Sequence, residues 1–393
     1  MKHPKTLSIK DFSYQLNADR IAMHPLNKRD ASKLLVYKSD QIEEYTFNDL
    51  PNLLPEKSIL FFNNTKVVHA RLLFQKESGA TIEIFCLNAV SEGEGEAVWH
   101  CMVGNAKRWK GEILKLALGE YIIYAEKQEL VHDYFKIKFT WQPQEDSFYQ
   151  VIEHLGKLPL PPYINRVATD EDEHRYQTVY AKHDGSVAAP TAGLHFTDDI
   201  FNQLELRGIK CETLTLHVGA GTFKPVKAET MQAHEMHREQ ITITKQNLLY
   251  ILNYIENYII PVGTTSMRTL ESIYWLGVKL YMKQAMPNNI WVRQWDPYDI
   301  DTNLSANEAI KSVLAEMDRL ETEVMIGYTE IMIAPSYEFR ICKGLITNFH
   351  QPESTLLLLV AAFVRGDWRQ IYNYALSHEF RFLSYGDSSL LLR

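Results

Sequence analysis

Cysteine is scarce: four residues in 393, Cys86, Cys101, Cys211 and Cys342, none of them in a CxxC pair. That spacing excludes a disulfide scaffold and a zinc ribbon and fits reduced thiols in a cytosolic protein. Long apolar runs are missing too. The longest, Leu356 to Val364, falls short of the roughly 20 residues that a membrane-spanning helix needs. The opening MKHPKTLSIKDF lacks the apolar core of a secretory signal, so the expected location is cytoplasmic, with no membrane partner. Positive charge is not in excess: 41 Lys and Arg stand against 49 Asp and Glu, a net charge of −8. With a pI of about 6.0, this argues against a protein that coats nucleic acid indiscriminately, while leaving room for a local basic patch. No GxSxG elbow and no Walker loop occur, and Gly219-x-Gly221 lacks the third glycine of a dinucleotide fingerprint.

What is present is an ordinary globular composition, 46% hydrophobic and 23% charged, long enough for one large or two ordinary domains. Ser58 to Phe62 is a buried-strand run closed by Asn63-Asn64-Thr65, either a turn or the polar rim of a pocket. Residues 67–141 then break into short alternating segments (Val67 to Phe74, Thr81 to Leu87, Ala97 to Val103, Glu112 to Leu116, Tyr121 to Lys127, Tyr134 to Phe139). That pattern predicts a small β-barrel. The three prolines of Leu158-Pro159-Leu160-Pro161-Pro162-Tyr163-Ile164 make a stiff crossing back to the main domain. The acidic run Asp170 to Glu173 reads as a solvated loop before a helix around Arg175 to Tyr180. From Val187 onward, strand, polar loop and helix alternate, which argues for an α/β domain with a largely parallel or mixed sheet. The expected organisation is an α/β domain over 1–66 and 157–393, with an all-β barrel domain inserted at 67–156. Residues 279–330 read as peripheral decoration without chemistry.

Candidate chemistry concentrates in Gly185 to Val226, where His195 and His217 lie beside Gly193, Gly219 and Gly221. Glycines allow close backbone approach to a ligand, and histidines titrate near neutrality. Ligands of α/β sheets bind where loops leave the carboxyl ends of the strands, and Gly263-Thr264-Thr265-Ser266-Met267-Arg268 and Asn348-Phe349-His350-Gln351-Pro352-Glu353 are two more such loops. The first of these places hydroxyls and N–H groups at a helix start, suited to an anion, with Arg268 one turn in. His234-Glu235-Met236-His237 is one residue short of HExxH, though both histidines could share one side of a helix and hold a metal. Asn105 to Gly111 sets Lys107, Arg108 and Lys110 beside Trp109, either a solvated hairpin tip or a phosphate-and-base contact. Residue chemistry by itself stops at an α/β enzyme with a small, polar, nucleoside-like ligand.

Longer motifs go further. DFSY (11–14), Arg29-Asp30 to Leu35, FFNNTKVVHARL (61–72), LPLPPYI (158–164) and YQTVYA (176–181) are followed in order by GSVAAPTAGLHFT (185–197) and LHVGAGTFKPV (216–226). HEMHRE (234–239), VGTTSMRTLES (262–272), LITNFHQPESTLLLLVAAF (345–363) and FRFLSYGD (380–387) complete the series. Along most of its length the chain resembles the S-adenosylmethionine:tRNA ribosyltransferase-isomerase family of queuosine biosynthesis. The resemblance is silent from Lys279 to Thr329. It departs at Ala334-Pro335-Ser336-Tyr337, where members tend to carry glycine after the proline.

The resemblance implies an α/β domain with an inserted β-barrel, and transfer of a ribosyl group from S-adenosylmethionine to 7-aminomethyl-7-deazaguanine at the tRNA wobble position. The products would be epoxyqueuosine-tRNA, adenine and methionine. S-adenosylmethionine is a consumed substrate here, so no cofactor and no metal are expected, and the chain is expected to be a monomer. His195, His217 and His237 form the expected acid/base pool. Thr264, Thr265, Ser266 and Arg268 suit the methionine carboxylate, and Asn348, His350 and Glu353 the ribose or adenine. Thr191, Gly193, Gly219 and Gly221 are further substrate contacts. Lys107, Arg108, Lys110, Lys224 and Lys227 are the expected tRNA contacts. The alternatives are a repurposed homologue that binds nucleoside or tRNA without this activity, and a metal-dependent hydrolase using His234 and His237.

Overall fold

The computed structural model of the chain describes residues 3–131, 134–219, 228–284 and 290–393. The strands in chain order are β1 Lys33–Lys38, β2 Gln41–Thr46, β3 Ser58–Asn63, β4 Thr65–Val67, β5 Arg71–Gln75 and β6 Thr81–Gly93. Then come β7 Glu96–Gly104, β8 Leu114–Leu118, β9 Tyr121–Val131, β10 Tyr134–Gln142, β11 His183–Ser186 and β12 Lys210–Leu216. The last are β13 Glu239–Thr244, β14 Tyr258–Val262, β15 Trp291–Val292, β16 Val324–Thr329, β17 Gly344–Asn348 and β18 Ser388–Leu392.

Ten of these build one mixed sheet in the order β15-β16-β13-β12-β3-β14-β17-β18-β1-β2. Its centre, β12-β3-β14-β17, is parallel. Hydrophobic side chains alternate across β3: Ile59 and Phe61 join the core on one face, Leu60 and Phe62 that on the other. A strand buried on both faces reads as a continuous apolar run, which is how Ser58 to Phe62 stands out in the sequence. The Thr264–Tyr281 helix covers the first face through Met267, Leu270 and Ile273; the Asp198–Leu206 helix covers the second through Ile200 and Leu204.

Six more strands form an antiparallel sheet, β5-β6-β7-β10-β9-β8, whose two edge strands approach each other to give a nearly closed barrel. Its interior is lined by Phe74, Ile84, Trp99, Ile123, Ile137 and Phe139. The Phe148–Leu155 helix, started by a Ser147 capping box, packs Phe148 against Trp99 with ring centroids 4.8 Å apart.

Several expectations are corrected. The run Val67 to Phe74 is not one strand. β4 pairs with β11 in a ladder of its own, and the barrel begins at β5. The acidic run is itself the helix Asp170–Arg175, because Thr169 caps it and carboxylates favour a helix N-terminus. Its Asp172 is buried against Arg166 (2.8 Å) and Tyr385 (2.7 Å). Residues 279–330 are not decoration. β15 and β16 extend the main sheet, and the Ala306–Arg319 helix lies against the Thr264–Tyr281 helix. A Cβ on Gly277 would stand 2.1 Å from the Ala309 carbonyl oxygen. Ser336 holds φ +88°, a conformation glycine adopts without strain.

Candidate active site

The parallel order of β12, β3, β14 and β17 puts their carboxyl ends at one edge. The chain leaving β12 (Val218), β14 (Gly263, Thr264) and β17 (Phe349, His350) borders a single cavity there. The cavity has a volume of about 170 Å³. Tyr163, Ala188 to Ala192, His234, Met236, His237, Glu239, Thr265, Arg268, Gln351, Ser354 and Thr355 complete much of its wall. The wall is mostly apolar with a few convergent polar groups, the composition of a small-molecule site.

Three histidines line this cavity: His234, His237 and His350. The segment from His234 to Arg238 is not helical, so the two histidines do not stack on a helix face. Among the described residues no group of three or more His, Cys, Asp or Glu side chains is placed to hold a metal. Gln294 fixes this segment from both sides: its side-chain oxygen accepts from Met236 N–H (3.0 Å) and its amide donates to the His234 carbonyl (2.8 Å). Arg238, stacked 3.8 Å over the Trp291 ring, anchors the segment's end. Burial lowers the His234 pKa, and neighbouring His237 lowers it further, so the imidazole is held neutral. His350 is bonded through Nε2 to Thr347 Oγ1 at 3.0 Å, and burial brings its pKa down to about 4.

His195 and His217 lie elsewhere. His195, 5% exposed, sits one layer behind the wall between Ser32 (Nδ1 to Oγ, 2.8 Å) and Asn348 (Nε2 to Nδ2, 3.3 Å), with the Phe47 ring tilted against it at 4.9 Å. An amide N–H donated to Nε2 leaves the ring proton on Nδ1, toward Ser32. Burial pushes its pKa down to about 4. His217 turns toward the β4–β11 ladder, bonding Thr65 Oγ1 at 2.9 Å and packing on Gly185, and burial followed by His183 lowers its pKa. Neither residue is in the wall of this cavity, and each bonds neighbouring side chains.

The remaining expected residues divide the same way. Thr191, Thr264, Thr265, Arg268, Asn348 and His350 are in the wall. Ser266 is not: its hydroxyl donates to the Val262 carbonyl (2.8 Å) inside the first helical turn. Gly193 serves packing, since a Cβ there would lie 1.8 Å from Tyr180 Oη. Glu353 bonds its backbone N–H to the Phe12 carbonyl (3.0 Å) and is outside the wall, as is Gly219. Gly221, Lys224 and Lys227 lie outside the described residues. On the barrel, Lys107, Arg108 and Lys110 are exposed at a turn, but Trp109 is 1% exposed and donates its indole N–H to the Glu112 carbonyl (2.7 Å). That indole is barrel core and offers no face to a base.

Sequence reasoning missed Glu239, Tyr163, Gln351 and the histidine-holding role of Gln294. Glu239 closes the HEMHRE motif, and its place in that motif was the one signal available. It is 3% exposed and paired with Arg268 across the cavity wall.

A model of the family described as queuosine biosynthesis protein matches residues 9–391. The chain is 38% identical over 391 residues to the S-adenosylmethionine:tRNA ribosyltransferase-isomerase of Azoarcus sp. (strain BH72), a span covering 99% of this chain and 98% of that relative. It is 37% identical to the protein of the same name from Halothermothrix orenii, over 98% of this chain and all of that one. A crystal structure of S-adenosylmethionine tRNA ribosyltransferase from Thermotoga maritima is similar at 27% identity and a TM-score of 0.47, covering 97% of this chain and 100% of that one.

Proposed function

Because the chain belongs to the queuosine biosynthesis protein family, we propose that it transfers and isomerises the ribosyl moiety of S-adenosylmethionine onto 7-aminomethyl-7-deazaguanine at the tRNA wobble position. The product is epoxyqueuosine-tRNA, with adenine and methionine released. The observation that carries this reading at the level of the site is one partly enclosed cavity with histidines on its wall and a buried Arg268–Glu239 pair lining it as well.

The chemistry asks for a base, an acid and shelter from water. The sulfonium acidifies the ribose C5′ proton, and an imidazole of His234 or His237 can remove it. The freed electron pair forms C4′=C5′ as C4′–O4′ breaks. The O4′ electrons form the C1′ carbonyl as the bond to adenine breaks, and adenine leaves with a proton from the resulting imidazolium or its neighbour. The tRNA amine adds at C4′ and releases its surplus proton to solvent, C5′ closes on C1′, and the new alkoxide displaces methionine from C5′ to give the epoxide. Atoms balance without an oxidant, reductant or metal, so S-adenosylmethionine acts as substrate and no cofactor is needed.

His350 and Asn348 suit the ribose or adenine, and Thr264, Thr265 and Arg268 the methionine carboxylate at a helix N-terminus. His195 positions Asn348, while Lys107, Arg108 and Lys110 on the barrel, taken as a domain inserted in the α/β domain, are the tRNA contacts of this reading. The protein acts as a cytoplasmic monomer. Incubation with S-adenosylmethionine and tRNA carrying the aminomethyl base tests it: adenine and epoxyqueuosine should appear together. Intact tRNA binding with neither product would leave the repurposed homologue instead.

A further inference from the structure

Beyond the histidines, the cavity wall contains a charge pair that is only half satisfied. Glu239 starts β13 and Arg268 sits in the second turn of the Thr264–Tyr281 helix; they are 3% and 5% exposed. Glu239 Oε2 accepts from Arg268 Nη1. Glu239 Oε1, Arg268 Nε and Arg268 Nη2 are buried with no hydrogen-bond partner among the described residues, and so is the hydroxyl of neighbouring Thr265. Burying two ions is repaid only when their remaining lone pairs and protons are also bonded. The pair is therefore incomplete among the described residues.

What would complete it is defined by its geometry. Arg268 offers two N–H groups to an anion, and Glu239 offers one oxygen to a cation beside it. The uncapped N-terminus of an 18-residue helix, with Gly263 at φ +90° and no side-chain cap, adds to the pull on the anion. A carboxylate and an ammonium one carbon apart answer both demands. We propose that Glu239 and Arg268 form a zwitterion clamp selecting the α-amino-acid end of the sulfonium nucleoside, with Glu239 Oε1 accepting from the α-ammonium. The clamp rests on the proposed function and adds to it a specificity residue, Glu239. It also explains why the arginine is paired: the carboxylate orients the guanidinium fork while keeping one oxygen for the ligand.

The test is calorimetric binding to the full chain without tRNA, using S-adenosylmethionine, its analogue lacking the α-amino group and its decarboxylated analogue. Wild-type protein should lose at least about tenfold in affinity with either deletion, the size of a charge-assisted hydrogen bond. Glu239→Gln should bind S-adenosylmethionine at least about tenfold more weakly and no longer discriminate against the desamino analogue, while still discriminating against the decarboxylated one. Equal wild-type affinity for the desamino compound would overturn the clamp without any variant, so a misfolded Glu239→Gln cannot rescue it. Unchanged discrimination in folded Glu239→Gln would overturn it as well, and would move the carboxylate's role to the sulfonium. Failure of wild-type protein to release adenine in the presence of tRNA would sink the proposed function separately, since binding selectivity is read without turnover.

Discussion

Substituting His195 and His237 by alanine in parallel separates a positioning histidine from one at the cavity. His195→Ala removes a buried ring, two hydrogen bonds and a ring contact with Phe47. Creating that cavity and leaving Ser32 and Asn348 short of a partner should cost about 2–4 kcal/mol of stability. His237→Ala alters an exposed side chain and should cost less stability than His195→Ala. Activity should run the other way: loss of an acid/base group costs about 10²–10⁴ in kcat, whereas His195→Ala acts through Asn348 and should mainly raise KM.

The acid limb of the stability curve checks the same assignment. His195 has a folded pKa of about 4 against about 6.5 unfolded, so the folded protein refuses a proton the unfolded chain accepts. The stability this protects is full above about pH 6.5 and is lost as pH falls toward 4, by about 3 kcal/mol at most. His195→Ala should therefore flatten the curve between pH 6.5 and 4 while lowering it at pH 7. Urea unfolding across that range and steady-state adenine release at pH 7 are the two assays. Wild-type kcat in His237→Ala, together with a large kcat loss in a fully folded His195→Ala, would refute the division drawn here.

Three further outcomes follow from particular residues. Gly277→Ala gains about 1 kcal/mol of helix propensity but drives a methyl onto the Ala309 carbonyl. Helix separation should win, for a net loss of about 1–3 kcal/mol in denaturant unfolding, and a stabilised variant would contradict the packing. Ser336→Gly relieves a positive φ worth about 1–2 kcal/mol at the expense of unfolded-chain entropy, so a gain of about 0.5–1 kcal/mol is expected, read as a raised urea midpoint. Charge reversal of Lys107 and Arg108 together should weaken tRNA binding and lower its salt slope by about 2, one for each phosphate left without its cation; an unchanged slope would remove the barrel turn from the interface.

The sequence by itself determined a good deal. Runs such as Ser58 to Phe62 announce strands buried on both faces, because apolar side chains must leave water on either side of a central strand. The alternating segments between 67 and 141 announced a barrel for the complementary reason, polar and apolar residues taking turns across a half-buried sheet. The capping bonds of Thr197 and Ser354 are local, so such helix starts depend on only a few neighbouring residues. The loops after β14 and β17 stood out in the sequence by their small and polar residues, and both border the cavity.

Which of those residues face one another was a tertiary decision. His195 sits in a loop as polar as that of His350, yet the chain's path puts one behind the wall and the other in it. Trp109 lies amid cations like a stacking platform, but the barrel had an interior to fill and burying an indole outweighs exposing it. Residues 290–330 look nondescript until β16 pairs with β13 and Gln294 grips the His234 segment. Glu239 and Arg268 are 29 residues apart in sequence. Only the meeting of a strand start with a helix start makes them a pair, because charges that must be buried are tolerable where folding brings the opposite charge to them.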